Sequence, residues 1–276
     1  MDAGPSMLVV GELINCTRKP IREAVEKGDV DYIADVARKQ ASAGVQYLDV
    51  NAGIPRRGPE TMKWLVDLVQ RTVDLPLCID SESPKNQIVG LENYDWNRGK
   101  PLLNSISLED DRLKGMVPLI KEFKPRVIAM CIKQGGLAEG IDERVTLTDR
   151  IVEVLTGLDI PINDIFIDPC VLPVGVNTDF GRQAMGTVEK VMAKYPGIHT
   201  ICGLSNVSFG LPVRRQLNQI FLPMMIGAGL DAVVCDPTDR RLMANLVAGK
   251  TLAGRDLECR EYIAAHRSGR LALEGN

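Results

Sequence analysis

The stretch Ile-Phe-Ile-Asp-Pro, residues 165–169, shows how the chain is organised. A short apolar run is typical of a strand that is buried on both faces, as in a parallel sheet. The run ends in an acidic residue, and Pro169 stops the strand because proline has no N–H to donate. Similar units recur along the sequence. We predict strands at 7–11, 45–50, 76–79, 102–106, 127–131, 165–167, 200–204 and 232–235.

Amphipathic segments separate these strands at a regular pace. We predict helices at 31–43, 60–73, 110–123, 143–155, 187–195, 213–228, 239–248 and 256–268. Eight strands alternating with helices in 276 residues favour a closed parallel barrel. The sequence therefore predicts an α/β protein, a single (β/α)8 TIM barrel with one domain over 1–276.

An open doubly wound sheet is the structural alternative. Such a sheet would carry a glycine-rich phosphate loop after its first strand. Here that turn reads Gly-Glu-Leu-Ile-Asn at 11–15, and the chain contains neither GxGxxG nor GxxxxGK[ST]. The sequence therefore favours the barrel.

Composition excludes several classes of protein. The net charge is −3, from 33 basic and 36 acidic residues that are well mixed, so no basic stripe predicts nucleic acid as a partner. No apolar run reaches the length of a membrane span, and residues 1–5 lack the features of a secretion signal. Seven cysteines without a CxxC pair, and only two histidines, predict reduced thiols in a cytoplasmic protein without a metal site.

Polar residues follow nearly every predicted strand. They are Glu12 and Asn15, Asp49 and Asn51, Asp80, Asn104, Asp168, Asn206 and Asp236. Any one of them could simply cap the following helix. Together, at the carboxyl ends of barrel strands, they predict one polar cup. A carboxylate accepts from paired N–H groups and an amide both donates and accepts, so this cup suits a flat, nitrogen-rich ring such as a pterin or purine.

Six short runs give the chain a family resemblance. They are Val-Gly-Glu-Leu-Ile-Asn (10–15), Leu-Asp-Val-Asn (48–51), Leu-Cys-Ile-Asp-Ser (77–81), Asn-Ser (104–105), Ile-Asp-Pro-Cys-Val-Leu-Pro (167–173) and Gly-Leu-Ser-Asn-Val-Ser (203–208). Over about 7–263 the chain resembles the methyltetrahydrofolate:corrinoid-protein methyltransferases. These are pterin-binding barrels related to the folate module of cobalamin-dependent methionine synthase and to dihydropteroate synthase.

The resemblance implies roles for individual residues. Asp80, Asn104 and Asp168 match the residues that hold the pterin ring. Asn206 matches the mobile residue that reaches N5, with Asp168 and ordered water as its network, and Arg214 falls beside the folate.

Other positions are less closely defined. Asn15, Asn51 and Ser205 are expected in the folate-binding set, with Asn15 and Asn51 either in contact or in support. Asp236 is interpreted as support. Phe209 departs from the pattern, because the relatives carry Gln there and Phe cannot donate a hydrogen bond.

The resemblance also implies an activity and partners. A methyl group would move between N5 of tetrahydrofolate and the cobalt of a corrinoid, in a direction that the sequence does not fix. The Asp-x-His-x-x-Gly pattern of cobalamin modules is absent, so we expect a separate corrinoid protein to dock over the barrel mouth. A free small-molecule methyl acceptor is the alternative. A homodimer is expected by resemblance alone.

Two other functions remain open. A dihydropteroate synthase-like enzyme would share the barrel, and Asn15-Cys16-Thr17 echoes its first strand. However, Arg18-Lys19-Pro20 follows instead of Asp-Ser-Phe, and no glycine-rich, lysine-bearing loop follows Asp168. A tetrahydrofolate-binding protein without turnover is the non-enzymatic alternative.

Overall fold

A computed structural model describes residues 7–53 and 57–272; the segment 1–5, in which the sequence predicts no secretion signal, lies outside the described residues. The strands are β1 Leu8–Asn15, β2 Tyr47–Asn51, β3 Leu77–Asp80, β4 Leu102–Leu108, β5 Arg126–Lys133, β6 Gly136–Leu137, β7 Ile165–Asp168, β8 His199–Gly203 and β9 Ala232–Cys235. The helices are α1 Lys19–Lys27, α2 Val30–Ser42, α3 Gly58–Thr72, α4 Pro84–Glu92, α5 Asp110–Phe123, α6 Gly140–Gly157, α7 Phe180–Lys194, α8 Arg214–Ala228, α9 Arg240–Leu252 and α10 Arg260–Arg267.

Eight of the strands form a closed parallel barrel. The sheet runs in the order β4, β3, β2, β1, β9, β8, β7, β5, and a further pairing of β4 with β5 closes it. The short β6 pairs antiparallel with β5 as an added hairpin. The predicted (β/α)8 TIM barrel is confirmed, with its eight strands where the apolar runs lie.

The barrel interior explains why the cup is polar. One buried residue from each barrel strand packs at its centre: Val10, Tyr47, Cys78, Leu102, Ile128, Phe166, Ile201 and Ala232. Side chains alternate along a strand, so the residue two positions later faces the same interior, one layer nearer the carboxyl end. Those residues are Glu12, Asp49, Asp80, Asn104, Met130, Asp168, Gly203 and Val234. The strand period alone therefore carries four carboxylates and an amide into the mouth.

Aromatic and charged residues fill the opposite, amino-terminal end. The Phe166 ring stacks on His199 with centroids 4.6 Å apart. Asp164 pairs with Lys100 at 2.5 Å and with Arg126 at 3.2 Å, close to the buried Tyr47. This end of the barrel is packed rather than open.

Several helix boundaries differ from the predicted ones. α1 and α4 were not predicted, although Pro84 at the start of α4 is a common helix-starting residue. α7 begins at Phe180, seven residues before the predicted start at 187. Gly186, just before the predicted start, breaks the helical pattern, and a Cβ there would lie 2.6 Å from Ile141 Cδ1, so α7 packs closely on α6 at this point.

The predicted helix at 256–268 is divided into two. Glu258 and Cys259 have φ values of 56° and 54°, so a 3-10 turn at Leu257–Cys259 precedes α10. Six cysteines are buried and Cys259 is exposed, all as free thiols. No helix in the described part of the chain is long and apolar enough to cross a membrane.

Candidate active site

A cavity of about 1100 Å³ opens at the carboxyl ends of the strands. All eight residues that the sequence placed in the site line it: Asn15, Asn51, Asp80, Asn104, Asp168, Ser205, Asn206 and Arg214. Glu12, Asp49 and Asp236 line it as well. In 7–53 and 57–272, no group of three or more His, Cys, Asp or Glu side chains is arranged to hold a metal ion.

Asn51 and Asp80 form a hydrogen-bonded pair on neighbouring strands. They lie opposite each other in the parallel register, and Asn51 Nδ2 donates to Asp80 Oδ2 at 2.7 Å. Burial raises the pKa of Asp80 to about 6, although the hydrogen bond from Asn51 opposes the rise. At neutral pH Asp80 therefore carries a carboxylate that can accept from a ligand.

Asn104 lies next along the rim, opposite Asp80 in the register. Its backbone carbonyl accepts from Ser81 N at 3.2 Å and from Gln87 Nε2 at 2.6 Å. Its side-chain amide makes no hydrogen bond with a described residue and faces the cavity. The strand end is thus fixed through its backbone while the amide stays available to a ligand.

Arg112, on α5, holds this part of the wall together. It donates to the carbonyls of Ser81, Glu82 and Ser105, and to Gln87 Oε1 at 3.2 Å. Gln87 itself is fully buried. Neither residue was predicted from the sequence, because both reach the site from helices and no local pattern marks such a contact.

Asp168 ends β7 on the far side of the cup. Its Oδ1 accepts from Cys170 N at 2.7 Å, within a turn where Cys170 has a φ of 57°. Burial raises the pKa of Asp168 to about 6; the bond from Cys170 and the charge of buried Arg144 act against the rise. Asp168 is therefore mainly ionised at neutral pH.

Asn206 lies in the 3-10 turn Leu204–Ser208 that follows β8. A Cβ on Gly203 would come within 3.2 Å of Asn206 Nδ2, so the glycine allows the amide to lie against the strand end. Arg214 closes the same turn, since its guanidinium donates to Ser205 O at 2.7 Å and to Ser208 Oγ at 3.2 Å.

Two of the predicted strand-end residues are engaged in local turns. Asn15 Oδ1 accepts from Thr17 N and Oγ1 at 2.9 and 2.7 Å. Asp236 Oδ1 accepts from Thr238 in the same way, at 2.9 and 2.6 Å. Both carry the Asx-turn geometry that shapes a loop.

Glu12, which is partly buried, and Asp49, which is buried, are the carboxyls to which the sequence assigned no task. Burial raises the pKa of Glu12 to about 7; Arg18, 3.7 Å away, lowers it and Asp236 raises it. Asp49 lies deeper, its pKa is raised well above the usual value by burial and by Asp80, and its Oδ1 has no protein partner in the described residues. A buried polar atom without a partner costs free energy. The bottom of the cavity therefore suits a ligand or a water molecule that hydrogen-bonds to Asp49.

The closed barrel carries its cup of carboxylates and amides at the carboxyl ends of the strands, where barrel enzymes have their active sites. The family model for pterin-binding enzymes matches residues 11–236, and the chain belongs to that family.

Among its relatives, the chain is 35% identical over 268 residues to the methylcorrinoid:tetrahydrofolate methyltransferase of Eubacterium limosum, covering 96% of this chain and 98% of that protein. It is 28% identical over 244 residues to the methionine synthase of Mycobacterium leprae, a match that covers 83% of this chain. It spans only 20% of the length of that methionine synthase.

Solved structures of dihydropteroate synthases share the fold. The enzyme from Xanthomonas albilineans in complex with 7,8-dihydropteroate has a TM-score of 0.66 at 16% identity, covering 91% of this chain and 94% of that one. The enzyme from Vibrio fischeri has a TM-score of 0.68 at 14% identity, covering 94% and 95%. These likenesses concern the barrel alone.

Proposed function

We propose that the chain is a methyltransferase that moves a methyl group between N5 of tetrahydrofolate and the cobalt of a corrinoid held by a separate protein. The observation that carries the proposal is the convergence of Asp80, Asn104 and Asp168 on one cavity beside Asn206. The name of the Eubacterium limosum relative supports the same chemistry and favours transfer from the methylcorrinoid to tetrahydrofolate.

The ring-binding role rests on charge and hydrogen-bonding capacity. Asp80 and Asp168 are carboxylates at neutral pH, so each can accept from the N–H groups on a pterin edge. The Asn104 amide has no competing partner among the described residues and both donates and accepts. Asn51 is proposed to orient Asp80 rather than to touch the ring, because its Nδ2 is already engaged.

Asn206 is proposed to act on the reacting atom. A tertiary amine such as N5 leaves readily only when it gains a proton or a strong hydrogen bond, and the amide N–H can supply that bond. In the opposite direction N5 must keep its lone pair free, and the amide can present its carbonyl instead. The corrinoid, when docked, supplies the metal that donates or accepts the methyl group.

The test is anaerobic absorption spectroscopy of free cobalamin with this protein. Methylcobalamin is mixed with tetrahydrofolate, and reduced Co(I) cobalamin with methyltetrahydrofolate. We expect protein-dependent spectral change in at least one mixture, and a loss of that change in Asn206→Ala. Calorimetry with tetrahydrofolate runs in parallel. No spectral change together with tight binding would mean either a strict requirement for the partner protein or a binding protein without turnover, and repeating the assay with candidate corrinoid proteins separates the two. No binding at all would refute the proposal.

The homodimer and the cytoplasmic location stay predictions of the sequence. One feature supports a dimer: Ile220 and Met224 lie one turn apart on α8 and are both exposed, at 53% and 48%. Light scattering coupled to gel filtration measures the mass, with Ile220→Ser as the test variant. A monomer in the unaltered protein would exclude the dimer.

A further inference from the structure

Arg144 occupies a position in α6 where the helical pattern calls for an apolar residue. Positions three and four residues apart share one side of a helix, so residue 144 belongs to the side of α6 that packs on the barrel. The residue is only 1% exposed, and its side chain is the largest of the fully buried ones in the described part of the chain. The buried residues of α6 are Arg144, Leu147, Thr148, Ile151, Val152 and Leu155.

The buried guanidinium of Arg144 lacks the partners that such a group normally has. Its Nη1 makes no hydrogen bond, and the side chain forms no ion pair with a described residue. A buried charge is costly unless it is paired and hydrogen-bonded, and an apolar side chain of similar volume would avoid that cost. Proteins break such local rules mainly at functional sites. Packing alone therefore does not account for an arginine at this position.

Arg144 lies behind the wall of the cup, level with Asp168. Cys131 on β5 contacts α6 there, since its Sγ lies 3.6 Å from the backbone carbonyl oxygen of Arg144. The preceding residue, Met130, lines the cavity and lies opposite Asp168 in the register of β5 and β7. Side chains alternate along a strand, so Met130 faces the cup while Cys131 faces α6. One strand of the wall thus separates this part of α6 from the cup.

Asp168 is surrounded by three thiols and one cation in the described residues. Burial raises the pKa of each thiol, to about 12 for Cys131 and well above the usual value for Cys170 and Cys202. All three thiols are therefore neutral at neutral pH. Burial also raises the pKa of Asp168, whereas the hydrogen bond from Cys170 N and the charge of Arg144 lower it. Arg144 thus supplies the positive charge that favours the carboxylate.

We propose that Arg144 is a positioning residue of the folate site, a buried cation that acts on the ring through the Asp168 carboxylate. The inference rests on the proposed function, in which Asp168 accepts from the N–H groups of the pterin. Asp168 Oδ1 already accepts from Cys170 N, and Oδ2 makes no hydrogen bond with a described residue. A direct ion pair would occupy the lone pairs that the ring needs, whereas a charge inside the wall supports the anion and leaves Oδ2 available.

The first test removes the charge of Arg144 and keeps a side chain of apolar volume. Anaerobic calorimetry measures tetrahydrofolate binding by Arg144→Met from about pH 5 to about pH 8. Loss of the charge is expected to move the titration of Asp168 upward by about half to one pH unit. The variant should then bind about twofold to fivefold more weakly near pH 6 and almost equally near pH 8. Arg144→Lys keeps the charge and is expected to restore most of the affinity near pH 6.

The second test follows Asp168 without any ligand. Carbon-13 NMR of protein labelled at its aspartate carboxyls records the titration, and Asp168→Asn assigns the signal. The midpoint lies at about 6 in the unaltered protein and is expected to rise in Arg144→Met. A residue that only fills space would leave the midpoint unchanged.

Arg255→Met is the matched control. Arg255 is a half-buried arginine at the amino-terminal end of β9, where it donates to the carbonyl of Leu230. Its replacement is expected to change neither the pH profile of binding nor the titration of Asp168. Since Asp80 titrates in the same range in every variant, the comparison is the ratio of affinities to the unaltered protein at each pH.

The outcomes separate this role from the proposed function. An unchanged titration of Asp168 in Arg144→Met overturns the role of Arg144, whatever the stability of the variant. If Arg144→Met does not fold, nitrogen-15 NMR of the arginine side chains in the unaltered protein decides the matter. The Arg144 signal should move as Asp168 titrates and stay fixed in Asp168→Asn, and a signal that stays fixed in both overturns the role. If tetrahydrofolate does not bind the unaltered protein, the proposed function fails, while the titration of Asp168 still shows whether the two residues are coupled.

Discussion

Asn51 Nδ2 donates a 2.7 Å hydrogen bond to Asp80 Oδ2 across two neighbouring parallel strands. The bond stabilises the ionised form of Asp80, whereas burial favours the neutral form; burial is the larger effect and leaves the pKa at about 6. Burial therefore dominates the protonation of this proposed ring-binding carboxylate, and a residue on the adjacent strand shifts it in the opposite direction.

Folate binding should depend on pH through this pair. Below a pH of about 6 the neutral Asp80 can no longer accept from both N–H groups of the ring, so affinity falls. Asn51→Leu removes a hydrogen bond that lowers the pKa of Asp80, so the fall should begin at higher pH. Calorimetry from about pH 5 to about pH 8 measures both curves. Superimposable curves would show that Asn51 does not tune Asp80.

Asp168→Ala and Asn104→Ala should each weaken tetrahydrofolate binding by about 1–3 kcal/mol, because a polar edge of the ring loses its partner. The measurement is the dissociation constant from anaerobic calorimetry. Thr72→Ala, which alters a hydroxyl on the surface helix α3, is the matched control. Normal affinity in both site variants would count against the ring assignment.

Asn206→Ala should lower the rate of methyl transfer more than it lowers folate affinity. An interaction that is strongest in the transition state affects kcat, whereas uniform binding affects KM. Stopped-flow spectroscopy of the corrinoid gives the rate, and calorimetry gives the affinity. A loss of affinity with an unchanged rate at saturation would contradict the role at N5.

Glu12 should make the protein less stable as pH rises. Its pKa is raised from 4.5 to about 7 in the folded chain, so the folded state binds the proton more tightly than the unfolded state. This contribution is complete below a pH of about 4.5 and is lost as pH rises through about 7. Glu12→Gln should make the free energy of unfolding depend less on pH. Near pH 8 the variant should be more stable than the unaltered protein by on the order of 2 kcal/mol. Urea denaturation measures the free energy of unfolding of both proteins at the two ends of this pH range. A difference between the proteins that does not change with pH would contradict this role of Glu12.

Arg112→Lys should weaken both the fold and folate binding. An ammonium group cannot reach the several carbonyls that the planar guanidinium joins, so stability should fall by about 1–3 kcal/mol. Because these carbonyls belong to the strand ends that carry Asp80 and Asn104, folate affinity should fall as well. Arg71→Lys serves as the control. Unchanged folate affinity in Arg112→Lys would show that the hydrogen bonds of Arg112 do not support the binding site.

The barrel could be predicted from the sequence because parallel strands buried on both faces leave apolar runs of a recognisable length. The run ending at Cys235 matched its strand at both ends. α1 was harder to recognise, since only Ile21 and Ala24 are buried on it. The start of α7 was not predicted because Gly186 interrupts the helical pattern. That glycine packs against α6, a tertiary contact that leaves no local pattern.

The cup could be predicted in part for a similar reason. Asp80, Asn104 and Asp168 each lie two residues beyond an interior residue of their own strand, so the strand period gives their direction. Gln87 and Arg112 act on backbone groups that lie 7 to 31 residues away along the chain, and no motif encodes these contacts.

In the described part of the chain, the amino-terminal end of the barrel is packed, with Phe166 stacked on His199 beneath the cup, and the cavity opens at the carboxyl ends of the strands. Under the proposed function, the protein that carries the methyl group would have to approach the ring from this same open end of the barrel, so the folate and its methyl carrier would share one entrance.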